Sequence, residues 1–195
     1  PFGERMSKIK ELTWEHHKNA ERQEFAKLLI GGNISPDMYA TYLWNQHKKY
    51  DLLEAIGMPH GIYHDIGDVR RKKLIEEDFN ELWQHKEEPV IVPSTIEYIN
   101  HMKTIMHDRD ALLAHVYVLY MGDLSGGQMI KKKVPGEGRM YDFTNLGDVK
   151  EVKEKIRELI TDDMADEAMY VFDSATKLFQ ELMELDIERT VESSD

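Results

Sequence analysis

Four residues in one short stretch raise the first chemical question. The run YMGDLSGGQ, Tyr120 to Gln128, sets Gly122, Gly126 and Gly127 around Asp123 inside a long apolar segment that opens at Asp110. Each glycine within a helix costs about 1 kcal/mol relative to alanine. Three so close together either end the helix or serve something that offsets the cost. Gly122 and Gly126 share one helix face, as do Asp123 and Gly127, because residues four apart are neighbours on a helix. A face without side chains lets a flat partner approach the backbone, and a carboxyl group lies directly beside it.

Three readings of that face are open from the residues alone. The first is close helix–helix packing, in the manner of small-xxx-small motifs, although Asp123 and Lys131-Lys132-Lys133 rule out a membrane dimer face. The second is the LSGGQ loop of ABC-type ATPases. It requires a phosphate loop of the form GxxxxGK[ST], and no Gly-Lys pair occurs in the chain. The third is a flat cofactor such as a porphyrin, which needs an axial ligand from another helix, cations for its carboxylates and an apolar slot. Of the nine histidines, His17 stands apart because Glu21 lies one helical turn on. A carboxylate there can accept the second ring N–H and fix tautomer and orientation. His16 points about 100° away on the same helix.

The elements that position these groups read as helices throughout. Apolar residues at Ile9, Leu12, Ala20, Phe25 and Leu28-Leu29 predict a helix from Arg5 to Leu29, stopped by Gly31-Gly32. Ser35-Pro36 opens a second helix to Ile56, with a cap and a proline at its first position. A third is predicted over Asp68 to His85. The run PVIVP, 89–93, reads as an extended connector. Ser94-Thr95-Ile96-Glu97 has the form of a capping box for a fourth helix to His107. The glycine-bearing helix is the fifth, 135–146 is a loop, and helices over Asp148–Asp162 and Met164–Glu188 close the chain. No alternating strand pattern and no repeat is present, so the expected fold class is all-α, a single domain over 1–195 with ends at 1–4 and 189–195 that fray.

Composition narrows the function classes. The chain has 195 residues, 41% hydrophobic and 32% charged, which suffices for one buried core. A formal net charge of -12 disfavours general affinity for nucleic acid. No apolar run approaches about 18 residues, so no membrane span is expected. The absence of cysteine removes disulfide, thiolate-metal and cysteine-nucleophile chemistry and suits a reducing cytoplasm.

YMGDLSGGQ closely matches the distal-helix signature of heme oxygenases, and EHHKNAERQEF, Glu15 to Phe25, resembles that family's proximal-helix segment. The resemblance runs on through LLAHVYVLY, VKEKIREL and VFDSATKLFQEL and so covers most of the chain in order. It implies a heme oxygenase-like fold with heme b held between a proximal helix and a kinked distal helix. It implies His17 as the iron ligand and Glu21 as its hydrogen-bond partner. Gly122, Gly126 and Gly127 would form the distal floor, with Asp123 organising water there. Lys10, Tyr117, Lys153 and Arg157 match positions that meet the propionates, and Phe172 and Phe179 match the pocket wall, where plain core packing is the other reading. Where some relatives carry a second lysine one turn before the proximal histidine, this chain has Trp14.

The resemblance further implies oxidative cleavage of heme, which is both cofactor and substrate, to biliverdin (the IXα isomer), carbon monoxide and ferrous iron, using O2 and an electron donor such as ferredoxin. A non-catalytic heme carrier or sensor of the same fold is the alternative. The donor would dock near Lys131, Lys132 and Lys133, for which a solvated helix end is the competing reading, and a bilin reductase would take the product. The type implied is the cytoplasmic one without a membrane anchor.

Overall fold

The computed structural model describes residues 7–192, with side chains through Leu185. Ten α-helices make up the described fold, and no strand occurs among the described residues. They are α1 Ile9–Leu12, α2 Trp14–Glu21, α3 Glu24–Gly31, α4 Pro36–Gly57, α5 Ile62–Ile66, α6 Lys72–Leu82, α7 Pro93–Thr104, α8 Arg109–Lys131, α9 Val149–Leu159 and α10 Ala165–Glu192. The all-α expectation holds. No helix among the described residues is long and apolar enough to cross a membrane.

The predicted first helix is three helices. The buried Thr13 turns its hydroxyl back to the Ile9 carbonyl at 2.7 Å, which loosens the ladder between α1 and α2. Gln23 is extended, at φ -64° and ψ 143°, and separates α2 from α3. Gly32 then stops α3 with φ 79°, a left-handed conformation that glycine reaches without strain. The Ser35 cap is as expected: its hydroxyl accepts the Met38 N–H at 3.2 Å and Pro36 takes the first turn.

The capping box at Ser94 is corrected. Pro93 begins α7, and no side chain of α7 caps it. Glu181 of α10 does so instead, accepting the Ser94 amide at 3.1 Å and its hydroxyl at 2.6 Å. The connector before it is extended as predicted, held by Asn45, whose amide bonds the Val90 carbonyl and the Val92 N–H at 2.9 and 3.0 Å. The third predicted helix is shorter, Lys72–Leu82, because the buried Arg71 is tied ahead of it, and α5 was not foreseen at all. α10 runs to Glu192, past the expected stop at Glu188 and through residues expected to fray. The fraying expected over 1–4 and 193–195 falls outside the described residues.

The core gathers Phe25, Tyr39, Leu43, Tyr50, Leu53, Ile75, Tyr98, Leu112, Tyr120, Val171 and Leu182 around α4, α8 and α10. α10 packs along α2, α3, α7 and α8. It therefore fixes the proximal segment and the glycine-bearing helix relative to one another.

Candidate functional site

α8 runs unbroken from its Asp108 cap to Lys131 and straight through the three glycines. None of these has positive φ, so no special backbone conformation requires them. Their reason is space. A Cβ built at Gly122 meets nothing within 4 Å, and one at Gly126 meets only Ile130 Cδ1 at 3.7 Å. Gly127 differs: its Cβ would stand 3.2 Å from the Tyr141 carbonyl oxygen and 3.5 Å from the Phe143 ring. Gly122 and Gly126 thus leave an open helix face, while Gly127, about 100° round from Gly126, lets the 139–143 segment pack against an adjoining side of α8. The expected floor of three glycines is, in this geometry, a floor of two.

Asp123 shares the inward side with Gly127, about 100° round from Gly122. It is buried, and the Tyr50 hydroxyl of α4 donates to its Oδ2. Burial pushes its pKa up to about 7, against the pull of Tyr50, Arg71 and Lys49. The carboxyl group is therefore poised to hold or release a proton near neutral pH, which is the condition for acid–base work. Lys49 is itself buried, and burial lowers its pKa to about 8 while Asp123 raises it. Tyr50, Lys49 and Arg71 escaped the sequence reading. Tyr50 is 73 positions from Asp123, and no local spacing announces such a pair.

His17 sits on α2, half-buried, with Nε2 2.8 Å from Glu21 Oε1 and its ring stacked 4.9 Å from that of Phe172 at an interplanar angle of 13°. The i,i+4 pair exists, but Nε2 is the nitrogen engaged. Ligation of a metal through Nε2 calls for rotation of the ring away from this pose. His16 turns to α10 and meets Asp173 at 2.7 Å. Trp14 contacts His17 edge-on at 5.6 Å and lies under two ammonium groups, Lys10 at 5.9 Å and Lys18 at 5.6 Å.

Lys10, Lys153 and Arg157 come together from α1 and α9. The Lys153 pKa is lowered by burial, then by repulsion from Arg157 and Lys10. Arg157 also bears on Tyr117 of α8, whose pKa burial raises and that guanidinium lowers. None of the three cations has a salt bridge among the described residues. Mutually repelling cations without an acid partner form a ready seat for an anion. Phe172 stands at His17, whereas Phe179 stacks on Phe25 at 5.6 Å, beside Tyr42 in the core. The packing reading thus accounts for Phe179.

Two surface cavities, of about 390 and 450 Å³, take in neither His17 nor the glycines. One lies along α10 by Asn19, Tyr170 and Asp173, and the other by Glu54, Arg70 and Arg71. The chemistry is better located by the converging groups than by these hollows.

The open face, the histidine and the cation cluster occur together on a fold with known relatives. The family model described as heme oxygenase matches residues 4–186. The chain belongs to the heme oxygenase family. It is 30% identical to a heme oxygenase of Rhodella violacea, over 89% of this chain and 85% of that protein. It is 26% identical to heme oxygenase 1 of Nostoc, over 90% and 84%. Among solved structures, heme oxygenase-1 of Synechocystis in complex with heme superposes with a TM-score of 0.79 at 24% identity, covering 96% of this chain and 97% of that one. Heme oxygenase-2 of Synechocystis in complex with heme and NO gives 0.77 at 25%, covering 91% and 84%. The heme oxygenase resemblance stated from the motifs and the all-α fold are both upheld.

Proposed function

We propose that this chain binds heme b between α2 and α8 and cleaves it oxidatively to biliverdin, carbon monoxide and ferrous iron. The residues present fit the group. Gly122 and Gly126 leave the backbone of α8 bare, and His17 offers an imidazole nitrogen on α2. Lys10, Lys153 and Arg157 offer positive charge for two propionates. Bound heme supplies the redox chemistry with O2, and the protein supplies orientation and proton control.

Each residue has a distinct task. Glu21, which meets Nε2 in this pose, would accept the other ring N–H once the ring has turned and so make His17 a better donor. Phe172 stacks on one face of that ring. The cation cluster sets the in-plane orientation of the substrate, favouring a single isomer, IXα. Asp123 holds a proton near neutral pH beside the bare face, and Tyr50 holds Asp123. The observation that carries the enzyme reading over a carrier is this buried carboxyl group, because storage of heme requires no titrating acid there. The test is to add heme and then a reductant in air. Loss of the Soret band with appearance of a biliverdin spectrum supports the enzyme, whereas a stable Soret band makes it a carrier.

The electron donor is the finer part of the proposal. The basic run is less uniform than the sequence suggests: Lys131 pairs with Asp142 at 2.9 Å, and the stem of Lys133 lies over Gly32. The helix-end reading accounts for Lys131. Lys132 and Lys133 remain as the exposed charges onto which an acidic donor such as ferredoxin docks. Lys132→Glu with Lys133→Glu is expected to slow ferredoxin-driven turnover while sparing ascorbate-driven turnover, with added salt mimicking the change. Equal loss with both reductants overturns the dock.

A further inference from the structure

Away from the heme-facing residues, three helices bring together two imidazoles and a carboxylate. His101 of α7, His115 of α8 and Glu167 of α10 place their ligand atoms within 4.8 Å of one another. Glu167 Oε1 stands 2.5 Å from His101 Nε2 and 2.7 Å from His115 Nε2. We propose that His101, His115 and Glu167 form a binding site for a first-row divalent transition cation, of which Zn2+ is the probe.

Donor chemistry comes first. Two imidazoles and one carboxylate suit zinc and its neighbours and leave positions open for water. Calcium and magnesium prefer oxygen donors throughout. Ligand atoms around such an ion lie about 2.0–2.2 Å from it. An ion therefore replaces the two protons that now bridge to Oε1, with the side chains spreading by about an ångström from hydrogen-bond spacing.

The rings are already held. The Tyr98 hydroxyl meets His115 Nδ1 at 2.5 Å; with an ion at Nε2 the ring proton would sit on Nδ1 and be donated to that oxygen, which orients the ring. The Tyr170 ring lies 3.9 Å from that of His101.

Access runs from one side. The His115 side chain is fully buried, while those of His101 and Glu167 keep 28% and 21% of their surface, so an ion enters past these two. Lys49 opposes the ion from α4, its ammonium 4.8 Å from the Tyr98 ring centre, but its lowered pKa lets it lose its charge more readily. No short motif carries this site, since its ligands are 14 and 52 positions apart and only the packing of α7, α8 and α10 joins them.

The test titrates the full-length, heme-free chain with Zn2+ by calorimetry and with Co2+ by visible absorption. His17→Ala serves as the background, which removes the imidazole on α2 from competition. A single saturable equivalent is expected, with ligand-field bands for Co2+. Glu167→Gln keeps volume and hydrogen bonding and His101→Asn keeps a polar side chain, and each is expected to weaken Zn2+ at least about tenfold and abolish the bands. His85→Asn, at an exposed His–Asp pair, is expected to leave both unchanged. Two readouts and two variants guard against misfolding, which circular dichroism detects. No saturable binding, undiminished affinity in Glu167→Gln, or equal loss in His85→Asn overturns the site and leaves a hydrogen-bonded triad.

Discussion

At the residue scale, the proposed function rests on two groups that differ in how far the sequence shows them. His17 and Glu21 sit one turn apart, so a single helix was enough to suggest them. His17→Ala is expected to lose the histidine-ligated heme spectrum and most turnover, with imidazole partly restoring both; an unchanged spectrum moves the ligand elsewhere. Glu21→Gln should act more mildly, because it tunes the ring without removing it. Asp123 was legible as a carboxyl beside glycines, but its state was not, since burial and the Tyr50 hydroxyl come from tertiary packing. Asp123→Ala is expected to keep heme affinity and to lower biliverdin formation by about a hundredfold or more, the usual scale for a lost acid–base group, with peroxidase-like activity appearing instead. Tyr50→Phe removes the donor yet keeps the ring, so it should cost less than Asp123→Ala while shifting the pH profile of turnover. Normal biliverdin production by Asp123→Ala would reduce the glycines to heme contacts and leave proton delivery to another group.

At the scale of the element, α8 shows why glycines of one motif need separate arguments. Gly122 stands in open space in ordinary helical conformation, so alanine there gains helix propensity with nothing to strike. Gly122→Ala is expected to stabilise the heme-free chain by up to about 1 kcal/mol and yet to weaken heme binding. Gly127→Ala places a methyl group 3.2 Å from a backbone oxygen that cannot swing aside, and is expected to lose about 1–3 kcal/mol. Urea melts and heme titrations separate the two, and equal effects at both positions would mean that the open face is no more than packing space. The sequence showed the spacing of these residues but not their surroundings, because Tyr141 and Phe143 reach α8 from a loop with no periodic signal. The same limit explains the capping of α7. Ser94-Thr95-Ile96-Glu97 satisfies the local rule, but Glu181, 87 positions away, takes the amide. Local codes located helices well and failed where a distant side chain outcompeted a near one.

For the whole molecule, burial of acids makes stability depend on pH in a calculable direction. Asp123 and Glu54 are both held up to about 7, chiefly by burial, from ordinary values of 3.8 and 4.5. Between those values and 7 the folded chain keeps protons that the unfolded chain has released. Stability contributed by these two groups therefore falls as pH rises through that window and is level above it. His115 acts oppositely: its lowered pKa means that the unfolded chain binds the proton first, so its contribution grows as pH rises toward 6.5. Lys49, lowered to about 8, adds a rising contribution only above that value. Asp68 and Asp162 have lowered values, which confines their losses to more acid solution, below about 4. These overlaps make the absolute curve a poor reporter, and a difference between variants a good one. Asp123→Asn keeps the shape and still accepts from Tyr50, while removing the charge that burial opposes. Its stability relative to the parent is expected to climb from pH 4 to pH 7 and then hold, with a total rise of a few kcal/mol, since three pKa units correspond to roughly 4 kcal/mol at most. Glu54→Gln should give a smaller climb over the same range and forfeit part of its hold on the Arg71 and Lys72 amides. Urea unfolding of the heme-free chain at half-unit steps measures both differences. A flat difference for Asp123→Asn would place the folded pKa of Asp123 at its ordinary value, and the carboxyl would then be a fixed charge in the core rather than a proton carrier beside the bare face of α8.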